Sequence, residues 1–391
     1  MPEDVVQRLQ TLVGFPTVGA EANGAIVDWV LDDAGGGASQ VRTVSAGDPA
    51  LQSIWMRFGP AASGGVLLSG HLDVVPAGDG WTDDPWRLTR RDDRLYGRGT
   101  CDMKGFIACA LTLASGWRGQ ALSAPIYLAF SSDEETGSTR MPAFLEDMTG
   151  HGVSPDLVVI GEPTDMRIVR GHKGTFGART RVRGRAAHSA DPRKGRNANV
   201  SAARLLLFFE ELQREWAADP ESAWSFDPPY TTVNPGVLRG GTGRNVVAES
   251  CEIEWDGRLM PGQEPGDILR RVAAFCESEL GRPGTDVDCT TEQLTYMPPL
   301  QPSESCRALE ILDGLCRPAE NPFVSWATEG GFFQRLGWPT VICGPGSIDE
   351  AHRPDESVPR QQLSACLDML RALPDALAGH RDRAASGALA S

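Results

Sequence analysis

No CxxC pair, no GK dipeptide and no apolar run approaching about 18 residues occurs in this chain of 391 residues, and each absence removes a class of function. Without GK there is no GxxxxGK[ST] loop to cradle phosphates, and no GxGxxG or GxSxG follows a strand-like run, which excludes dinucleotide fingerprints and serine nucleophile elbows. Basic residues are in deficit. The 37 Lys and Arg stand against 52 Asp and Glu, and the net charge of -15 has the wrong sign for tracking nucleic-acid phosphates or an anionic membrane. Nine cysteines, an odd number standing singly, read as free and mostly buried thiols of a reducing compartment. The opening MPEDVVQRLQ places acids where a signal peptide would carry positive charge, so a soluble, cytoplasmic protein is expected.

What is present is a globular composition, 41% hydrophobic and 23% charged, in a chain long enough for two domains or a split one. Val5, Val6, Leu9, Leu12 and Val13 keep one helical face before Pro16, and a second helix is predicted over Ala25 to Leu31. The apolar runs LQSIWMRF, GVLLSG, APIYLAFSS, DLVVIG and PTVICG predict buried strands, with helical patterns such as MKGFIACALTLA and MPAFLEDM between some of them. Together they indicate an α/β layer with a mostly parallel central sheet flanked by helices.

From about residue 175 the texture changes. An alternating stretch, a long amphipathic helix (NANVSAARLLLFFEELQREW), two strands, the helix GDILRRVAAFCESEL and a strand near TDVDCTT follow in turn. That order is the split βαβ of a ferredoxin-like α+β sandwich. Residues 175–290 are therefore expected to be a small domain inserted between the two parts of a larger one, 1–174 and 291–380, with 381–391 a flexible tail.

Potential metal ligands follow the strand candidates of the larger domain. GVLLSG leads to His71 and Asp73, RLYGRGTC to Asp102, IYLAFSSD to Glu134 and Glu135, LVVIG to Glu162, and VICGPGSIDEA to His352. Taken singly, Asp102 would serve equally as an N-cap, the two glutamates as a solvated turn, and His352 as a surface histidine. Because ligands in open α/β sheets bind beyond the carboxyl ends of strands, the set points to one crevice. Two histidines with three carboxylates suit zinc, with cobalt or manganese as alternatives.

The stretches SGHLDVVP, GRGTCDMKG, DEETGS, GEPT, AHS and CGPGSIDEAHRPDE, in order along nearly the whole chain, resemble the acetylornithine deacetylase and succinyl-diaminopimelate desuccinylase family, relatives of the aminoacylases and glutamate carboxypeptidases. GTCDMKGFIA, RGHKGTF and ATEGGFFQ lean toward the acetylornithine deacetylases. The resemblance implies a two-zinc centre in which His71 and Glu162 hold one metal, Glu135 and His352 the other, and Asp102 bridges them. Asp73 would orient His71, Glu134 would be the general base, and His188 of GRAAHSADP would supply a donor to the oxyanion, in the family often from the partner subunit. Arg258 and Asn245 would meet the substrate carboxylate, and Ala248 stands where the family's NVIP-like segment has proline. Thr328, Glu329 and Gly330 would line the pocket, with Glu329 a candidate for an ornithine ammonium.

The implied activity is hydrolysis of an N-acyl amino acid, with N-acetyl-L-ornithine as the leading substrate, by a homodimer joined through the inserted domain. Another N-acyl amino acid or a dipeptide is the near alternative. A catalytically silent metabolite binder is the distant one, disfavoured by retention of Glu134 beside all five ligands.

Overall fold

The computed structural model describes residues 2–388 apart from 20, 118, 221–222, 281–286, 302–306 and 313. Cys306 and the end of the expected tail, 389–391, lie outside the described residues. The chain divides into two compact units, one formed by Met1–Gly171, Ser303–Pro322 and Thr328–Ser391, the other by His172–Pro302 and Phe323–Ala327.

The strands of the two large sheets are, in chain order, β1 (Gln40–Val44), β2 (Ser53–Phe58), β3 (Val66–His71), β4 (Ile126–Ser131), β5 (Leu157–Pro163), β6 (Gly174–Arg183), β7 (Thr232–Gly240), β8 (Ser250–Leu259), β9 (Asp288–Met297) and β10 (Thr340–Gly344). The helices used below are α1 (Glu3–Val13), α2 (Gly24–Ala34), α3 (Lys104–Trp117), α4 (Met141–Gly150), α5 (Ala198–Ala218), α6 (Pro265–Phe275), α7 (Arg307–Leu312), α8 (Gly330–Arg335) and α9 (Arg360–Ala388).

In the first unit the sheet order is β1-β2-β4-β3-β5-β10. The pairs β4/β3, β3/β5 and β5/β10 are parallel, while β1 and β2 add an antiparallel edge. Every residue of β3, β4, β5 and β10 is buried, as expected for parallel strands covered on both faces. Alternation decides the faces. Ile54, Met56 and Phe58 join a core shared with α1, α2, α3 and α9, whereas Trp55 points the other way and donates its indole N–H to Asp147 of α4 at 2.8 Å. All five apolar runs are strands of this sheet.

The second unit is an antiparallel sheet of order β7-β8-β6-β9 with α5 and α6 packed into one core against it. Its inward residues alternate with solvent-facing ones along β6 and β8, and the chain order is the strand, helix, strand, strand, helix, strand expected.

Three details differ from the sequence reading. Only Arg94–Tyr96 of RLYGRGTC is strand, in a small separate sheet, so Asp102 is carried by the loop before α3 and not by a strand of the main layer. The last sandwich strand runs on to Met297 instead of ending near residue 291. Helix α9 continues to Ala388 through the segment expected to be loose, where an alanine-rich sequence favours helix over coil.

Candidate metal centre

Six residues named from the sequence meet in the first unit. His71 ends β3, Glu162 stands near the end of β5, and Glu134 and Glu135 form a single helical turn directly after β4. Asp102 precedes α3, and His352 follows the turn Ile348–Glu350 beyond β10. The parallel strands end at the same side of the sheet, which is why residues far apart in sequence arrive together.

Two donor groups result, His71 with Asp102 and Glu162, and Asp102 with Glu135 and His352, each with its ligand atoms within 4.8 Å of one another. Asp102 belongs to both. Its Oδ1 is 2.9 Å from His71 Nε2, and its Oδ2 is 3.2 Å from His352 Nε2. Glu162 Oε1 lies 3.6 Å from His71 Nε2, and Glu135 Oε2 lies 3.1 Å from His352 Nε2. Glu134 stands beside the groups and belongs to neither.

The charge balance of this cluster calls for cations. Four carboxylates (Asp102, Glu134, Glu135, Glu162) face two imidazoles. Burial, reinforced by the neighbouring carboxylates, pushes Glu134 and Glu162 well above the usual carboxyl range despite the attraction of His71. Burial opposes protonation of His71, yet Asp102 and Glu162 raise it well above an ordinary histidine; Asp102 and Glu135 bring His352 to about 10. Divalent ions would satisfy the same oxygens and ring nitrogens without protons, and the His and carboxylate donors match zinc or a neighbouring first-row metal. The donor set fits a pair of such ions.

Asp73 works differently from the expectation. His71 Nδ1 meets the main-chain carbonyl of Asp73 at 2.9 Å, while the Asp73 carboxylate is 3.6 Å away. That carboxylate accepts the backbone N–H groups of Glu134 (3.2 Å) and Glu135 (2.9 Å). It thus orients the histidine through its backbone and fastens the glutamate pair through its side chain.

Glu329 is also placed differently. Its carboxylate is buried, accepts Ser131 Oγ at 2.9 Å and Ser138 Oγ at 3.2 Å, and is pushed by burial to about 8. Both its oxygens are engaged inside the unit, so it does not present a free carboxylate to an ornithine ammonium. Thr328 is buried and accepts the N–H of Gly330 at the start of α8.

In the second unit His188 and Asn245 are neighbours, since His188 bridges Val246 and Ser189 donates its N–H to the Asn245 carbonyl at 3.1 Å. His188 Nδ1 accepts the N–H of Ala190 at 3.0 Å. Arg258, on β8, donates to Asp256 at 3.1 Å.

Sequence reasoning missed Glu356. This buried carboxylate accepts Arg98 (2.7 Å) and the N–H of Gly99 (3.0 Å) on one oxygen, and the N–H groups of Cys101 (2.8 Å) and Asp102 (3.0 Å) on the other. It ties the loop of Asp102 to the segment of His352, and the signal lay in the AHRPDE stretch already quoted for its histidine. His352 itself has φ +61, a left-handed backbone uncommon outside glycine, as does Asp355 at +56. Such conformations persist where the surroundings over-determine them, which here means the Arg98–Glu356 tie. Cys101, buried with its thiol donating to the Ser347 carbonyl, is packed rather than poised as a nucleophile.

Residues 67–376 match the sequence profile of peptidase family M20/M25/M40. The acetylornithine deacetylase of Klebsiella pneumoniae (strain 342) is 35% identical over 307 residues, 75% of either chain. That of Pectobacterium carotovorum subsp. carotovorum (strain PC1) is 36% identical over 305 residues, covering 75% of this chain and 76% of its own. A solved M20 family metallo-carboxypeptidase from Sulfolobus solfataricus shares the fold with a TM-score of 0.74 at 18% identity, over 96% of this chain and 99% of its own. The profile match takes in every residue of both donor groups, and this chain belongs to the M20/M25/M40 peptidase family.

Proposed function

We propose that the chain is a metal-dependent amidohydrolase that removes the acyl group from an N-acyl amino acid, with N-acetyl-L-ornithine, giving L-ornithine and acetate, as its substrate. The observation that carries the reading is Asp102, whose two oxygens face different histidines at the junction of two donor groups. His71 and Glu162 would hold one ion and Glu135 and His352 the other, zinc in the first instance with cobalt or manganese as substitutes. Such a pair of ions supplies Lewis acidity at the amide carbonyl and makes water acidic enough to serve as nucleophile near neutral pH.

The chain's own residues do the rest. Glu134, in neither donor group, takes the proton of the attacking water and returns it to the nitrogen of the leaving amine as the C–N bond breaks. Asp73 keeps Glu134 and Glu135 in different roles by holding both of their backbone N–H groups. His188 is assigned as donor to the oxyanion, and Arg258 with Asn245 as the carboxylate-binding pair; motif likeness supports these three. The relatives' activity as acetylornithine deacetylases supports the ornithine substrate. A homodimer through the inserted unit is supported by exposed Val200 and Leu207 on α5 and Leu238 on the edge strand β7.

The test is amine release by the metal-loaded protein from a panel of N-acetyl, N-succinyl and N-formyl amino acids and dipeptides. N-acetyl-L-ornithine should be turned over fastest. Faster turnover of a succinylated substrate or a dipeptide would move the assignment within the family, and hydrolysis of none would favour a metabolite binder.

A further inference from the structure

Four cysteines that the hydrolytic site does not use come together in the core of the first unit. Cys109 lies on α3, Cys366 on α9, Cys343 on β10, and Cys316 just beyond α7; the first three are core members and Cys316 packs against them. Cys109 and Cys366 are fully buried between packed helices, where no oxidant in solution reaches them. The other two differ. Cys343 is buried and donates its thiol hydrogen to the sulfur of Cys316 across 3.6 Å, while Cys316 is only half-buried and stands between exposed Gly314 and Arg317.

We propose that Cys316 and Cys343 form a peroxide-reactive dithiol that closes to an intramolecular disulfide. In the first step the Cys316 thiolate attacks one oxygen of hydrogen peroxide. The O–O bond breaks, Cys316 becomes a sulfenic acid, and the departing hydroxide takes up the proton that the thiol had released. In the second step the Cys343 sulfur attacks the sulfenic sulfur, the S–O bond breaks, and the oxygen leaves as water with the Cys343 proton. Two thiols and one peroxide give one disulfide and two waters; the peroxide accepts the two electrons that the sulfurs lose.

The division of labour follows from the contact. The hydrogen bond from Cys343 favours the thiolate of Cys316, against the effect of burial, and the same bond together with burial holds Cys343 in its thiol form. The half-buried Cys316 is thus the nucleophile that meets the oxidant, and the buried Cys343 resolves it. Bond formation requires the sulfurs to close to about 2.05 Å. Cys343 sits at the register shift of β10, between Ile342 and Gly344, which pair with β5, and on the Cys316 side Gly314 adopts a left-handed backbone of φ +77 in a turn, so both ends have backbone able to adjust. Dithiols of this kind inside reducing compartments are typically reversible redox sites.

The experiment uses the full-length reduced protein. It is exposed to hydrogen peroxide, the remaining thiols are alkylated, and the digest is mapped by mass spectrometry. The expected result is a peptide pair joined through Cys316 and Cys343, released by dithiothreitol, and absent from Cys316→Ser and from Cys343→Ser. The proposal is overturned if both thiols of the wild-type protein remain open to alkylation while other cysteines oxidise. It is equally overturned if either of them is joined to a different cysteine, or if Cys316 accumulates as sulfinic acid with no bond formed.

Discussion

Adjacent glutamates in SSDEETGS are given different contacts by the backbone that carries them. Asp73 pins both N–H groups, after which Glu135 reaches His352 and Glu134 does not. Replacing Glu134 by Gln should therefore leave metal content unchanged while kcat falls by roughly 100- to 10,000-fold, the usual range for loss of a general base. Glu135→Ala should instead lower the metal-to-chain ratio measured by elemental analysis, because it removes a donor from the second group. That these residues would come together was legible in the sequence, since each belongs to a quoted motif. What Asp73 and Glu356 do was not, because both act through backbone N–H groups whose direction no sequence pattern records. A separate residue sets a pH dependence. His172 is fully buried, its Nδ1 donates to the Lys173 carbonyl at 2.8 Å, its Nε2 has no hydrogen-bond partner among the described residues, and burial lowers its pKa from 6.5 to about 4. Between those values the unfolded chain binds a proton that the folded one refuses, so stability is lost as pH falls from about 6.5 toward 4, by up to roughly 3 kcal/mol. Denaturant unfolding of wild type and His172→Gln across that range should show the difference between them narrowing or reversing as pH falls, whereas parallel curves would show that folding does not shift the protonation of His172.

The elements most plainly written in the sequence are those buried on both faces. Runs such as VLLSGH and IYLAFS have no polar side to hide, and all five became strands of the main sheet. The edge strand β1 went unseen because QVRTV is short and two of its five residues are exposed, a pattern shared with loops. Asp102 was assigned to a strand end because RLYG resembles one, but tertiary contacts leave only three of those residues in strand. Close packing within the sheet gives a sharp test. A Cβ added at Gly161 of β5 would fall 1.9 Å from the ring of Phe106 on α3, far inside contact distance. Gly161→Ala should destabilise the fold by about 1–3 kcal/mol, read as a lower denaturation midpoint, because neither the strand nor the buried ring has room to retreat. As the next residue is Glu162, metal affinity should fall with it.

At the scale of the whole molecule the periodicity of the chain separated an α/β unit from a sandwich, and the order of elements within the second unit followed the sequence. Its extent did not follow from periodicity alone. Contacts extend the second unit to Pro302 and add the distant segment Phe323–Ala327, a return that depends on packing partners far apart in sequence. The first unit, in contrast, holds both donor groups within itself, so the candidate metal centre and Glu134 are assembled by one sheet and the loops at one end of it. The most direct test of the account is a titration of zinc into chelator-stripped protein, recording bound metal and amine release from N-acetyl-L-ornithine together. The account predicts no activity in the stripped protein and full recovery as bound metal reaches two ions per chain; activity that survives complete metal removal, or saturation at a single ion, would contradict it.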